Sequence, residues 1–395
     1  MRIGVDATCW SNRRGYGRFA RALLTATLAV DRSNHYVFFT DQPAEEFPLP
    51  QTVEVVRVTA GVPTIQAAAA NGRRSLGDMW AVSRAISGRK LDLFFFPSVY
   101  SYVPLTSSTP ELVTIHDVIP ELFPQMVFPT WRAKLFWRAK VSLACMQARR
   151  IVTISEYSRR KMTDVLGIRP ERVRVVNEAG DPVFRRVPHL DPAPLYQRLG
   201  LPVGTRFVSY VGGFSPHKNL FLLVDLFREL VAQPEFAEVR LVLAGDFQGD
   251  AFFSCYRELK QRVDETGMQE RVLFPGYMRD DDLLALLNLT TALALPSFCE
   301  GFGLPAIEAA ACGAPVLVTT ESPLPGLLGD GAIALAPDDR AGWRDALGRV
   351  LRDDALRARM SVAGLRAAAA LSWENSARQL LEIFDEVPRP RAATP

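Results

Sequence analysis

Four side chains in this sequence have types and settings that could do chemistry. Glu300 and Glu308 are separated by seven residues inside Leu295–Thr319, LPSFCEGFGLPAIEAAACGAPVLVT. Two carboxylates beside a glycine turn can orient hydroxyl groups. Gly301 and Gly303 let backbone approach a ligand closely, and the amides that open a helix can receive an anion. Lys218 follows the turn Gly212-Gly213-Phe214-Ser215-Pro216-His217 and starts a helical pattern, which suits a diphosphate. His116 ends the apolar run Leu112–His116, where ligands of α/β proteins bind. Each also has a plain structural alternative. Glu300 could cap a helix, Glu308 could be a solvated helix residue, Lys218 a solvated loop lysine and His116 a satisfied core histidine.

The elements that must position these groups alternate between strands and helices. Thr291–Leu295 reads as a buried strand stopping at Pro296, Leu304–Cys312 has helix composition with Gly313 at its C-terminus, and Pro315–Thr319 is another strand. Upstream, strands are expected at Arg2–Ala7, Tyr36–Thr40, Val53–Thr59, Leu91–Pro97, Leu112–His116, Arg150–Ser155 and Val173–Asn177. A second series is expected at Phe207–Val211, Val239–Gly245, Val272–Gly276, Thr291–Leu295, Pro315–Thr319 and Ala332–Ala336. Such alternation predicts two mostly parallel sheets covered by helices. Prolines 182, 188, 192 and 194 interrupt the pattern, so a first domain over 1–183 is expected, a linker over 184–198 and a second domain over 199–371. Ser372 is a good N-cap for an amphipathic helix over 372–387, with Ala377, Leu380, Leu381 and Phe384 on one face. The tail, 388–395, is expected to be disordered.

Glu300 and Glu308, with Phe302-Gly303-Leu304-Pro305 between them and Gly313-Ala314-Pro315-Val316 after them, resemble the E-x7-E motif of retaining GT-B glycosyltransferases, more narrowly family 4. The resemblance covers nearly the whole chain and is strongest from Phe207 to Thr319. It implies an α/β GT-B fold: two Rossmann-like, doubly wound domains facing an interdomain cleft, with the 372–387 helix crossing back onto the first. It implies that Glu300 contacts donor-sugar hydroxyls, Glu308 the nucleotide ribose, and the backbone of Phe302, Gly303 and Leu304 the diphosphate. Lys218 and the Gly213 turn would hold the phosphates, and backbone at Gly276-Tyr277 the base. Gly15 and Gly17, in Gly15-Tyr16-Gly17-Arg18-Phe19, would lie in a loop near the donor phosphates and acceptor. His116, in Thr114–Pro120, would sit beside the donor sugar in a positioning role. The family usually carries an arginine five or six residues before the lysine; here Gly212 or Gly213 stands there. The implied activity is transfer of a hexose, mannosyl- or glucosyl-type, from a nucleoside diphosphate sugar to a glycan or lipid-linked hydroxyl, with retained configuration, in bacterial surface polysaccharide synthesis. A GT-B nucleotide-sugar epimerase and a non-catalytic nucleotide-sugar-binding protein are the competing readings. No cofactor and no metal are expected.

Composition and the remaining motifs bound these readings. The 395 residues suffice for two domains, and a net charge of +3 gives no argument for a nucleic-acid partner. Five scattered cysteines suggest reduced thiols, and no run reaches the length of a transmembrane helix, so a cytoplasmic protein is expected, with at most peripheral contact at the inner membrane face. With Ala20 in third place the G-x-G at Gly15 fits a looser dinucleotide fingerprint, but it sits well past the end of its strand near Ala7, which disfavours a dinucleotide oxidoreductase without excluding it. Asp280-Asp281-Asp282 reads as helix capping and not as a metal site. Ser155 and Glu156 either cap a helix or face the cleft. Trp131–Arg150, WRAKLFWRAKVSLACMQARR, holds six Lys or Arg and no acid, which suits a solvated helix or an anionic membrane surface.

Overall fold

The computed structural model describes residues 1–12, 15–41, 48–59, 61, 75–247 and 253–387. The 388–395 tail lies outside the described residues. The chain divides into two units, one of residues 1–178 and 372 onward, the other of residues 179–371.

Among the described residues the first unit holds a seven-stranded sheet: β1 (Arg2–Asp6), β2 (His35–Thr40), β3 (Glu54–Arg57), β4 (Leu93–Phe96), β5 (Glu111–Thr114), β6 (Ala148–Thr153) and β7 (Val173–Val175). All pairings are parallel, in the order β3-β2-β1-β4-β5-β6-β7. The central strands have helices on both faces, so their residues are apolar without alternation; Phe94, Phe95 and Phe96 are all fully buried. The order reverses between β1 and β4, where Ile3 pairs with both Tyr36 and Leu93.

The second unit holds β8 (Phe207–Val211), β9 (Arg240–Ala244), β10 (Val272–Gly276), β11 (Ala292–Leu295), β12 (Val316–Thr319) and β13 (Ala332–Leu335). Their order is β10-β9-β8-β11-β12-β13, again all parallel, with the reversal between β8 and β11. The expected strands run one or two residues past several of these ends. Several residues just past the strands are themselves buried, Ala7, Ile115, Ile154 and Val176 among them, and an apolar pattern reports burial, not ladder hydrogen bonds.

Two expectations about organisation change. The segment expected as a linker, 184–198, packs within the second unit: the Val187 amide donates to Asn288 Oδ1 at 2.8 Å, Asn288 Nδ2 donates to the Arg185 carbonyl at 3.0 Å, and Ala193–Leu199 is helical. The prolines terminate elements there without separating domains. The Gly15-to-Phe19 segment is not a loop. Its helix, Gly15–Val30, begins at Gly15, and Gly17 lies buried in the first turn.

The Trp373–Asp385 helix belongs to the first unit. The Ser372 hydroxyl accepts from the Asn375 amide at 3.2 Å, an N-cap as its position suggested. Ser376 Oγ donates to the Asn177 carbonyl at 2.6 Å, and the Asn177 amide donates to Gln379 Oε1 at 3.1 Å. Phe384 meets the edge of Phe95, and Trp373 that of Phe19. These contacts bury the helix's apolar face on the sheet of the first unit.

Candidate active site

The second unit assembles its charged groups at the reversal between β8 and β11, the place where open parallel sheets leave a crevice at their carboxyl ends. Past β8 the chain makes a tight turn, braced by the Tyr210 hydroxyl donating to the Gly213 carbonyl at 2.6 Å. A single 3-10 turn, Pro216–Lys218, then ends on Asn219 in the left-handed region, φ 56°. Asparagine tolerates that conformation better than most residues. Asn219 Nδ2 donates to the carbonyls of Pro296, at 3.1 Å, and Pro337, at 2.9 Å. The Phe298 amide donates to the His217 carbonyl at 2.8 Å. The turn bearing Lys218 is thus held against the loop that follows β11.

That loop carries Glu300. Lys218 Nζ donates to Glu300 Oε1 at 2.8 Å and to Oε2 at 3.0 Å, and Ser297 Oγ donates to Oε1 at 2.5 Å. Ser297 is fully buried and Glu300 is 7 % exposed. The carboxylate is therefore fixed in orientation, with both oxygens engaged, and the reading of Glu300 as a helix cap does not hold. The helix Leu304–Ala311 is entered instead through Gly303 in the left-handed region, φ 89°, with no side-chain cap. Phe302 is buried, and Pro305 has no amide hydrogen to leave unsatisfied. Glu308, one turn in, is only 1 % exposed, which removes the solvated-helix reading. Its neighbourhood is the chain just after the domain division: a Cβ on Gly180 would lie 3.6 Å from Glu308 Cγ. Burial, and after it the Glu308 charge, push the Cys312 thiol up to about 12.

The flanking positions divide. Gly276 is left-handed, φ 77°, at the end of β10, and Tyr277 is exposed. The Tyr277 carbonyl accepts from Arg198 Nη2 at 3.2 Å, and Arg198 also pairs with Asp282. The three aspartates 280–282 fill the first turn of the helix Asp280–Leu289. Ser155 caps the helix Glu156–Leu166 by accepting from the Ser158 amide at 3.0 Å, and Glu156 is exposed beside Arg159.

In the first unit, His116 lies just past β5, 8 % exposed, with the edge of the Phe19 ring packed on it at 4.9 Å. Neither ring nitrogen has a hydrogen-bond partner. Buried polar atoms are rarely left so, and such an orphan marks a place a ligand group can satisfy. Burial lowers the imidazole to about 4, so it is neutral at pH 7 and can offer one donor and one acceptor. Because the folded state disfavours the proton, stability is full above the unfolded-state value near 6.5 and declines as pH falls toward 4. His116→Asn is expected to shrink the loss of stability between pH 7 and pH 4.5 by about 2 kcal/mol relative to wild type, read from urea unfolding midpoints of both proteins at the two pH values. Around Gly15 and Gly17, Tyr16 stacks on Tyr100 at 5.2 Å, and Arg21 donates to the carbonyls of Trp10 and Asn12. A Cβ on Gly17 would fall 2.0 Å from the Asn12 carbonyl oxygen. That glycine is required by a close backbone approach.

Ser297, Asn219 and Arg198 were not singled out by sequence. Asn219 sat beside the motif lysine, but its carbonyl partners lie 77 and 118 residues further along the chain; Ser297 lies three residues from its partner Glu300, a spacing that could have pointed to it.

Two doubly wound parallel units with a lysine–carboxylate cluster at a sheet reversal define a Rossmann-like α/β protein of the two-domain kind. Residues 195–366 match the family described as glycosyl transferases group 1, and residues 15–182 match glycosyltransferase family 4. The two glycosyltransferase models together span most of the chain, one on each unit, and the fold is the two-domain GT-B fold. The fold is similar to that of a sucrose-phosphate synthase from Thermosynechococcus elongatus, with TM-score 0.74, 18 % identity and 98 % of each chain covered. It is similar also to Anabaena HepE in complex with UDP and glucose, with TM-score 0.72 and 20 % identity over 98 % of this chain and 99 % of that one. A D-inositol 3-phosphate glycosyltransferase of Corynebacterium glutamicum is 31 % identical over 222 residues, 55 % of this chain and 52 % of the relative. The chain spans about half the length of the curated relatives it matches.

Proposed function

We propose that the protein transfers a hexose from a nucleoside diphosphate sugar to an acceptor hydroxyl with retained anomeric configuration. The observation that carries this reading is the Lys218–Glu300–Ser297 cluster at the β8/β11 reversal of the second unit. A donor diphosphate would draw Lys218 from Glu300, exchanging one anionic partner for another and leaving Glu300, still held by Ser297, to accept from sugar hydroxyls. In the transfer the bond from the anomeric carbon to the diphosphate oxygen breaks and one from the acceptor oxygen forms on the same face. The acceptor proton passes to the oxygen of the departing diphosphate. Lys218 and the amides after Gly303 would stabilise the charge that builds on the diphosphate. His116, neutral and unpartnered, would hydrogen-bond sugar or acceptor. The Gly276-Tyr277 backbone would take the base and Glu308 the ribose. The solved relative holding UDP and glucose supports a uracil nucleotide and a glucosyl-type donor as the first to try. A glycan or lipid-linked acceptor, and peripheral contact with an anionic membrane through 131–150, belong to the same proposal, as does a site that works without a metal.

Thermal shift with GDP-, UDP-, ADP- and dTDP-sugars in EDTA tests this. One nucleotide is expected to raise the melting temperature of the wild type, with the shift lost in Glu308→Ala. No shift with any of them would end the donor assignment. Sugar transfer or donor hydrolysis separates the transferase from a non-catalytic binder, and interconversion of donor sugars without acceptor would mark an epimerase.

A further inference from the structure

We propose that a groove in the first unit, between the helix Trp131–Gln147 and the turn 165–172, holds the phosphate headgroup of an anionic phospholipid while the outer side of that helix enters the bilayer interface. The proposal rests on the peripheral-contact reading above and deepens it by naming the site and its ligand. The groove has a volume of about 680 Å³. Lys134 and Arg138, one helical turn apart, line it together with Arg169 and Arg172. No carboxylate among the described residues pairs with Lys134, Arg138 or Arg169. Arg172 donates to the carbonyls of Cys145, at 2.7 Å, and Ala148, at 2.5 Å, and so brings its charge to the C-terminal end of the helix. The one acid in the lining, Glu121, accepts from Trp137 Nε1 at 2.7 Å, which turns its carboxylate to the tryptophan, and burial raises its carboxyl.

The outer side of the same helix identifies the source of the phosphate. Trp137, Val141 and Ala144 face the core and satisfy the helix's packing. Yet Trp131 is 70 % exposed, Leu135 58 %, Phe136 50 % and Met146 69 %, interleaved with Arg132, Lys134 and Arg138. A solvated helix would carry polar groups there, and a soluble phosphate would need no such apolar rim. Basic side chains reaching phosphates beside tryptophan and phenylalanine that enter the acyl boundary is the chemistry of interfacial attachment. No helix among the described residues is long and apolar enough to cross a membrane, so the attachment is to one face.

Flotation of the full chain with phosphatidylcholine vesicles, with and without about 30 mol% phosphatidylglycerol in about 0.1 M salt, tests the proposal. Wild type is expected to float with the anionic vesicles alone. Arg138→Glu with Arg169→Glu is expected to lower the partition coefficient about tenfold or more. Arg257→Glu with Arg359→Glu, in the second unit, makes the same change of net charge and is expected to float as wild type. All four positions are exposed, and circular dichroism checks that each pair folds. Monomeric dihexanoyl phosphatidylglycerol is expected to raise the melting temperature of wild type more than glycerol 3-phosphate does. Equal protection by glycerol 3-phosphate would make the groove a soluble-phosphate site and overturn the lipid assignment. Undiminished flotation of the groove variant would overturn the headgroup site and leave peripheral contact standing. Wild type that does not float at all would overturn both.

Discussion

Lys218→Ala is expected to lower kcat for sugar transfer by about two to three orders of magnitude, the loss that follows removal of one preorganised donor to developing charge. Lys218 reaches Glu300 with both contacts at or below 3.0 Å and is held on a turn that Asn219 and the Phe298 amide brace from the β11 side. The backbone that carries it is thus held in place, so that only the Lys218 side chain has to move from Glu300 to an arriving diphosphate. The substitution also leaves Glu300, almost buried, without its cation, at a stability cost of about 2 kcal/mol. A second substitution separates the two effects. Adding Glu300→Gln to Lys218→Ala removes the stranded charge while keeping an acceptor for Ser297, so stability should return and kcat should not. Initial rates and urea unfolding on the two variants read this directly. Normal kcat in Lys218→Ala would show that the departing diphosphate is stabilised elsewhere.

Gly245→Ala is expected to cost about 3 kcal/mol and to abolish any thermal shift by nucleotide. A Cβ at Gly245, just past β9, would lie 1.9 Å from the Gly212 carbonyl oxygen and 3.2 Å from the Phe214 ring. Nothing nearby yields cheaply. The Gly212 amide donates to the Ala244 carbonyl at 3.0 Å and the Gly245 amide to the Gly276 carbonyl at 3.1 Å, so three strand ends are tied together. The substitution must push the glycine turn that leads to Lys218 away from its place. Urea unfolding reports the stability loss, and the nucleotide thermal shift reports the displaced turn. An unchanged unfolding midpoint would mean that these backbones part easily and that the turn is not rigid.

The sequence by itself determined where the strands run and what kind of sheet they make. Parallel strands covered on both faces must be apolar along their length, and runs such as Leu93–Phe96 and Val316–Thr319 announce themselves without any partner. Caps behave likewise: Ser372 serves an amide three residues away. The conjunction of Glu300, Gly303, Glu308 and Gly313 was legible because one strand–loop–helix unit carries them all. Tertiary structure alone decided what touches what. Lys218 and Glu300 are 82 residues apart, and only the adjacency of β8 and β11 makes them a pair. Gly245 became indispensable for the same reason: a strand end meets whatever backbone the neighbouring strand end presents, here the Gly212 carbonyl. The prolines of 182–194 read as a linker because proline ends a periodic pattern whether the chain leaves a domain or turns within one. The first turn of the Gly15 helix was hidden because glycine reads as a loop former, and it is needed here only because the backbone at Asn12 lies against it.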